Sequence, residues 1–331
     1  MTLVLVRKLL RDVRWPLLVI WLLLFLFSFM WVRVTHRVTT EISPYFNLIG
    51  GLAGAKQKDM EDVIFTGIGK VSQAVLGGSD IHYDRPTDFL AVAMLHPVVV
   101  VLAFLWCVGR TSGAVAGELD RGTMELLLSQ PVPRDRLILA HLIVDLLLIP
   151  LLCSSLMLGT HFGLASTGPF IESAEIIAKV REKAPPVARA FIKSEPAELP
   201  VTTRNQWKGA LNLSALMFAM SGVAIWISSA GRNRWRASGL AALLVMTMFV
   251  VNVISQLYEP LNWIRPFTLF FYYTPQLHWL NDDWLADVGV AWGLGPKIVV
   301  IPSVVFLFAI GTAGYFAALR IFTKRDLPAP L

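Results

Sequence analysis

Charge is what this chain has least of. Only 16% of its 331 residues are Asp, Glu, Lys or Arg, 55% are hydrophobic, and the mean hydropathy is +0.61. That balance excludes an ordinary soluble globular chain and fits a polytopic membrane protein. Cysteine is nearly missing: Cys107 and Cys153 are the only two, each inside an apolar run. Neither a disulfide framework nor a zinc site is encoded, and both thiols read as helix-packing or lipid-side groups. A complete nucleotide loop is missing as well. Gly67 to Ser72 reads GIGKVS, but Ile64 stands where the phosphate loop needs glycine, and Val71 follows Lys70 in place of Ser or Thr. There is no H-E-x-x-H pattern. The net charge of +6 suggests nucleic acid at first sight. Its cations, however, lie scattered at the ends of apolar runs, which points to anionic membrane lipids and to topology, with no nucleic acid.

What is present is a series of apolar runs. The pattern predicts an all-α polytopic fold with about six transmembrane helices, at about 16–32, 89–108, 137–158, 210–230, 237–257 and 298–319. Met1 to Trp15 is short and amphipathic, with Arg7, Lys8, Arg11 and Arg14 close together, and reads as a surface helix that Pro16 ends. The first run is about 26 Å long as a helix. Bulky Phe29, Met30 and Trp31 occupy the place of a small-residue cleavage site, so it is expected to remain as a span and not to be a signal peptide. Polar segments at about 33–88, 161–208 and 258–296 separate the runs. The first contains one periodic piece, Val63 to Leu76, and the second has helical pieces at Ile171 to Arg181 and around Ala188 to Lys193. The third is rich in Trp, Tyr, Phe and Pro. Its apolar centre, Phe267 to Tyr273, is too short to cross and lies between Pro266 and Pro275, so re-entrant or interfacial helices are expected before the last span.

The stretch from Gly109 to His141 is too polar to cross and too patterned for a passive linker. Glu118, Arg121 and Glu125 recur at spacings of three and four, near one helix face, with Leu119, Met124, Leu126, Leu127 and Leu128 as apolar surface. Gly122-Thr123 interrupts the pattern, and Thr123 is a candidate N-cap for a second short helix. Pro131 and Pro133 end it, and Arg134 and Arg136 are expected at the membrane surface where the next run begins. The segment reads as a docking element.

The words E-x-x-x-G-T-x-E-x-L-L from Glu118 and Q-P-V-x-R ending at Arg134 resemble the signature of the exporter-type permeases of ABC transporters, the type-2 membrane family. The closing F-x-x-R-D-L, Phe322 to Leu327, is similar to the end of many such permeases. The resemblance implies that the loop between spans 2 and 3 is a coupling helix that touches an ATPase subunit. The expected coupling residues are Glu118, Arg121, Gly122, Thr123, Glu125, Leu127, Pro131 and Arg134. It further implies two copies of an ABC ATPase subunit holding ATP and Mg, and no cofactor in this chain. A second permease, identical or related, an external accessory protein as a possible addition, and a bacterial inner (plasma) membrane location complete what it implies.

Inside the apolar runs, His141 and Asp145 lie four residues apart on one face of the third span. An aspartate near a helix centre costs about 2.5–3.5 kcal/mol on insertion, whereas each of the run's Leu, Ile and Val returns about 0.3–0.6 kcal/mol, so insertion wins. The pair reads either as a pathway or interface group, or as a buried pair that packs on a neighbour. An intramembrane enzyme using His141 and Asp145 is the alternative function, weakened by the lack of a second carboxylate or a placed nucleophile. Asn252 and Gln256 are candidates for hydrogen bonds to neighbouring helices. With the N- and C-termini cytoplasmic, the inside pieces hold roughly half of the 29 Lys and Arg, as the positive-inside rule asks.

Overall fold

A computed structural model describes residues 2–42, 85–124, 133–185, 189 and 195–325. Helix α1, Thr2–Arg37, is one continuous helix that leads into a π turn, Val38–Ile42. This corrects the expected surface helix ending at Pro16, because Pro16 lies inside α1. A proline inside a helix costs about 3 kcal/mol, but here tertiary packing outweighs it. Leu5, Leu9, Leu10 and Val13 pack on the core, and Arg136 donates to the Thr2 hydroxyl at 3.1 Å. The amphipathic N-terminal residues therefore prolong the helix of the first span without a break.

The partner along α1 is α5, Arg134–Thr167, which outruns its expected end near 158 until Gly168, at φ 82°, stops it. Two glycines let the helices meet. A Cβ at Gly163 would lie 2.7 Å from Val32 Cγ2, and one at Gly159 would collide with the Phe25 carbonyl. Ser28, buried at the same contact, donates to the Leu156 carbonyl at 2.8 Å. Small residues at a crossing are how helices associate where lipid and side chain are equally apolar.

The second span is broken. α2, Pro86–Val92, passes through a 3-10 turn, Ala93–Leu95, to His96, and α3 follows at Pro97–Thr111. Pro97 pushes His96 out of the helical region, to φ −57° and ψ 136°. Tyr273 donates its hydroxyl to the Met94 carbonyl, and His96 Nδ1 accepts from the Val98 amide at 3.3 Å. Backbone groups freed by a break inside a membrane must be satisfied in this way.

After α4, Ala116–Asp120, and α6, Ala174–Lys183, the chain forms α7, Gln206–Ala230, and α8, Arg234–Leu257. Two 3-10 helices, Glu259–Phe267 and Leu269–Tyr272, and α9, Pro275–Leu280, then pack back on the bundle. Leu269 to Tyr273 is buried, and Asn212 of α7 holds it by donating to the Tyr272 carbonyl and accepting from the Thr274 amide, both at 3.0 Å. The last span differs from expectation. α11 covers Ser303–Lys324 and does not begin at Ile298, because β2, Val300–Pro302, pairs antiparallel with β1, Leu285–Asp287, around α10, Val288–Ala291. Asp287 secures the turn by accepting the Lys297 amide at 2.6 Å. Nearby, hydrogen bonds from Lys208 and Trp284 hold the Asp282 carboxyl below its usual range.

Six membrane-length apolar helices, α2 with α3 counting as one, are thus present among the described residues. The expected piece Val63 to Leu76 and most of Ala188 to Lys193 lie outside those residues, as do Asp326 and Leu327 of the closing motif.

Candidate coupling site

The starts of α1, α5 and α8 and the ends of α3, α7 and α11 meet at one end of the bundle, and the α3–α4 loop is tied into that end. Ser228 Oγ of α7 accepts the Val115 and Ala116 amides, each at 3.1 Å. Asn233, which also caps α8, donates to Asp120 at 3.0 Å, and Ser112 shares a 2.8 Å hydrogen bond with Ser238. The Arg234 side chain lies across Gly113 and Gly117, where a Cβ would approach it to 3.5 and 3.6 Å.

The acidic-basic words of the loop form one cluster. Arg121 pairs with Glu118 at 2.7 Å, and the Thr123 hydroxyl donates to the same carboxylate. Gly122, at φ 69°, turns the chain so that Thr123 reaches back. The break falls at Gly122-Thr123: α4 stops at Asp120, Thr123 and Met124 are helical again, and the Thr123 hydroxyl turns back to Glu118. Met124 is buried. Glu125, Leu127 and Pro131 lie outside the described residues. Arg134 is also spoken for, since it donates to the Arg325 carbonyl at 2.7 Å. Arg325 in turn donates to the Ser229 and Gly231 carbonyls at 2.9 and 2.8 Å, acceptors that the end of α7 leaves open. Burial, with the Arg232 cation nearby, pulls Arg325 below the usual guanidinium range.

Deeper in the bundle, Arg110 corrects the expectation that it belongs to the surface loop. It sits in the last turn of α3 and points inward, where its guanidinium pairs with Asp145 of α5. Only 6% of the Arg110 side chain is exposed, and none of Asp145. Arg110 also donates to the His141 carbonyl at 3.2 Å and lies 3.3 Å from His141 Nδ1, and Tyr315 of α11 donates its hydroxyl to Asp145. Arginine has only donors to offer, so Nδ1 accepts and the imidazole proton is assigned to Nε2. His141 and Asp145 therefore do share a site, joined through Arg110. A carboxylate held between a guanidinium and a phenol is a charge-paired joint between α3, α5 and α11, and presents no free base to a substrate. Asn252 accepts from Thr268 at 3.4 Å, whereas Gln256 is exposed. Among the described residues, no cluster of three or more His, Cys, Asp or Glu is arranged to hold a metal.

Sequence reasoning missed Arg110, Tyr315, Ser228 and Asn233, and met Arg325 only as a letter of the closing motif. A signal existed for the first two: a lone arginine just inside an apolar run, a lone aspartate in the next, and one tyrosine in the last span are three polar groups that need one another.

A family model described as ABC-2 family transporter protein matches residues 6–327. The chain belongs to that family, and is a multi-pass membrane permease subunit of an ABC transporter. No curated protein and no solved structure is similar enough to count as a match.

Proposed function

We propose that this permease works in an ATP-driven exporter, with the loop from Glu118 to Arg134 receiving the movement of two separate ATPase subunits. ATP and Mg belong to those subunits. Both termini and the loop lie on the cytoplasmic side of a bacterial plasma membrane in this reading. A second permease, identical or related, completes the pathway, and α1 and α8, the least covered spans, leave room for it. The polar segments on the opposite side offer a place for an external accessory protein.

One observation carries the reading: the loop is bonded to α7 and α8 directly and, through Arg110, to α5 and α11. A displacement of α4 is transmitted to four spans at once. ATP binding would then shift the permease between two arrangements by the difference in affinity for them.

The test is reconstitution of the chain with its ATPase in vesicles. Glu118→Ala removes the acceptor shared by Arg121 and Thr123. Membrane insertion should be normal, while transport per ATP hydrolysed falls by about tenfold, within the usual range of coupling free energies. Unchanged coupling would exclude the loop as the receiving element.

A further inference from the structure

A cavity of about 300 Å³ opens at the loop end, between α1, the α3–α4 loop and the starts of α5 and α8. That is the lower end of the range for small-ligand sites, about 300–1,000 Å³. Its charges are unbalanced. Lys8 and Arg234 both line it, and neither has an ion-pair partner among the described residues. Arg110 forms part of the wall, with its Nε buried and without a hydrogen-bond partner, and His141, whose Nδ1 faces Arg110, keeps its Nε2 proton as a further donor. Two carboxylates also line the cavity. Glu118 is engaged by Arg121 and Thr123, which leaves Asp12. Asp145 balances Arg110 from behind. Two unpaired cations against one unpaired carboxylate leave room for a single negative charge.

The depth of the cavity says what can bring that charge. Trp15 is 65% exposed on α1 and Trp235 80% exposed on α8, and exposed tryptophans settle in the headgroup zone. Just past Trp15, the outer face of α1 turns apolar at Leu18, Val19 and Leu22, all exposed. Along α1, Lys8 and Asp12 precede Trp15 on the water side, whereas Arg234 adjoins Trp235. The cavity therefore lies where lipid phosphates lie.

We propose that this cavity binds the phosphodiester headgroup of an anionic membrane lipid, held by Lys8 and Arg234 over the buried Arg110 Nε. A phosphodiester carries one negative charge and has oxygens that accept from both Lys8 and Arg234. Free phosphate offers the same acceptors, with more charge than the cavity balances.

The experiment is native mass spectrometry of the full chain in detergent, with added phosphatidylglycerol, and phosphatidylcholine as the zwitterionic comparison. Lys8→Gln combined with Arg234→Gln should lower the phosphatidylglycerol-bound fraction by about tenfold or more, given the attraction per basic side chain near a membrane. It should leave the phosphatidylcholine-bound fraction unchanged. Arg7→Gln with Arg11→Gln removes the same formal charge from exposed positions outside the cavity and should change binding by less than about twofold. The swap Lys8→Arg with Arg234→Lys should retain the lipid, and so separates a lost site from a lost fold. Equal losses in the cavity and control variants, or no loss in either, would overturn the site. Displacement of the lipid by inorganic phosphate at matched concentration would overturn the lipid assignment.

Discussion

α7 and α8 are joined by three residues and have nearly equal lengths, 25 and 24 residues, yet they occupy opposite positions in the bundle. In its most apolar window, 83% of α7 is buried, against 22% for α8. By mean hydropathy α8 is the more apolar of the two. In water that order would send α8 to the core; in lipid, apolar side chains gain nothing by meeting one another. What brings α7 to the middle is its small and polar surface. Gly222 meets the backbone of Gly311 and Gly314 on α11, and Asn212 and Ser228 satisfy the backbone of neighbouring segments. α8 instead turns Leu240, Leu243, Met246, Val250 and Ile254 outward.

The comparison is broken most severely from beside α7. Tyr315 stacks on Phe218 of α7 with ring centroids 5.5 Å apart, and its hydroxyl closes the Arg110–Asp145 pair. Arg110→Leu strands the buried Asp145, and a stranded buried charge costs about 3–5 kcal/mol. Thermal unfolding in detergent should register that loss. The double variant Arg110→Leu with Asp145→Leu should recover most of it, because a well-packed apolar pair is often as stable as the ion pair. Failure of the double variant to recover would mean that the joint fixes the arrangement of α3, α5 and α11 by more than charge balance.

A smaller effect sharpens the contrast directly. At Gly222 an added Cβ would strike the Gly311 backbone, whereas at Gly239 of α8 nothing lies within 4 Å. Gly222→Leu should destabilise by about 1–3 kcal/mol or more through overpacking. Gly239→Leu should be neutral, or stabilising by up to about 1 kcal/mol through helix propensity. Equal unfolding temperatures for the two variants would refute the assignment of α7 as centre and α8 as periphery.

The same contrast explains what was legible in the sequence. Spans are readable because bilayer thickness sets a run length that needs no partner, and the acidic-basic loop announces itself by its polarity. The features that escaped all depend on a distant group. Pro16 passes through α1 because α5 lies beside it, and Arg110 turns inward because Asp145 waits in the next span. Ser303 starts α11 because Val300 to Pro302 is drawn into pairing with Leu285 to Asp287. Gly122 was visible as an interruption, but its positive φ, which folds Thr123 onto Glu118, has no local signature beyond the glycine itself.

The smallest effect concerns the two serines that fasten the loop, one from each helix. Ser228 of α7 is fully buried and accepts two backbone amides, those of Val115 and Ala116. Ser238 of α8 shares a single hydrogen bond with the Ser112 hydroxyl. Ser228→Ala strands two donors in a place water does not reach, and each stranded donor costs about 1–3 kcal/mol less whatever relaxation recovers. We expect a net loss of about 1–2 kcal/mol, together with faster hydrogen exchange at the Val115 and Ala116 amides. Ser238→Ala frees one hydroxyl to rotate elsewhere and should stay within about 0.5 kcal/mol of the wild type. If exchange at Val115 and Ala116 responds equally to both substitutions, the loop is fastened by α8 as much as by α7. In that event a movement of α4 would be felt first at the periphery of the bundle and only afterwards at its centre.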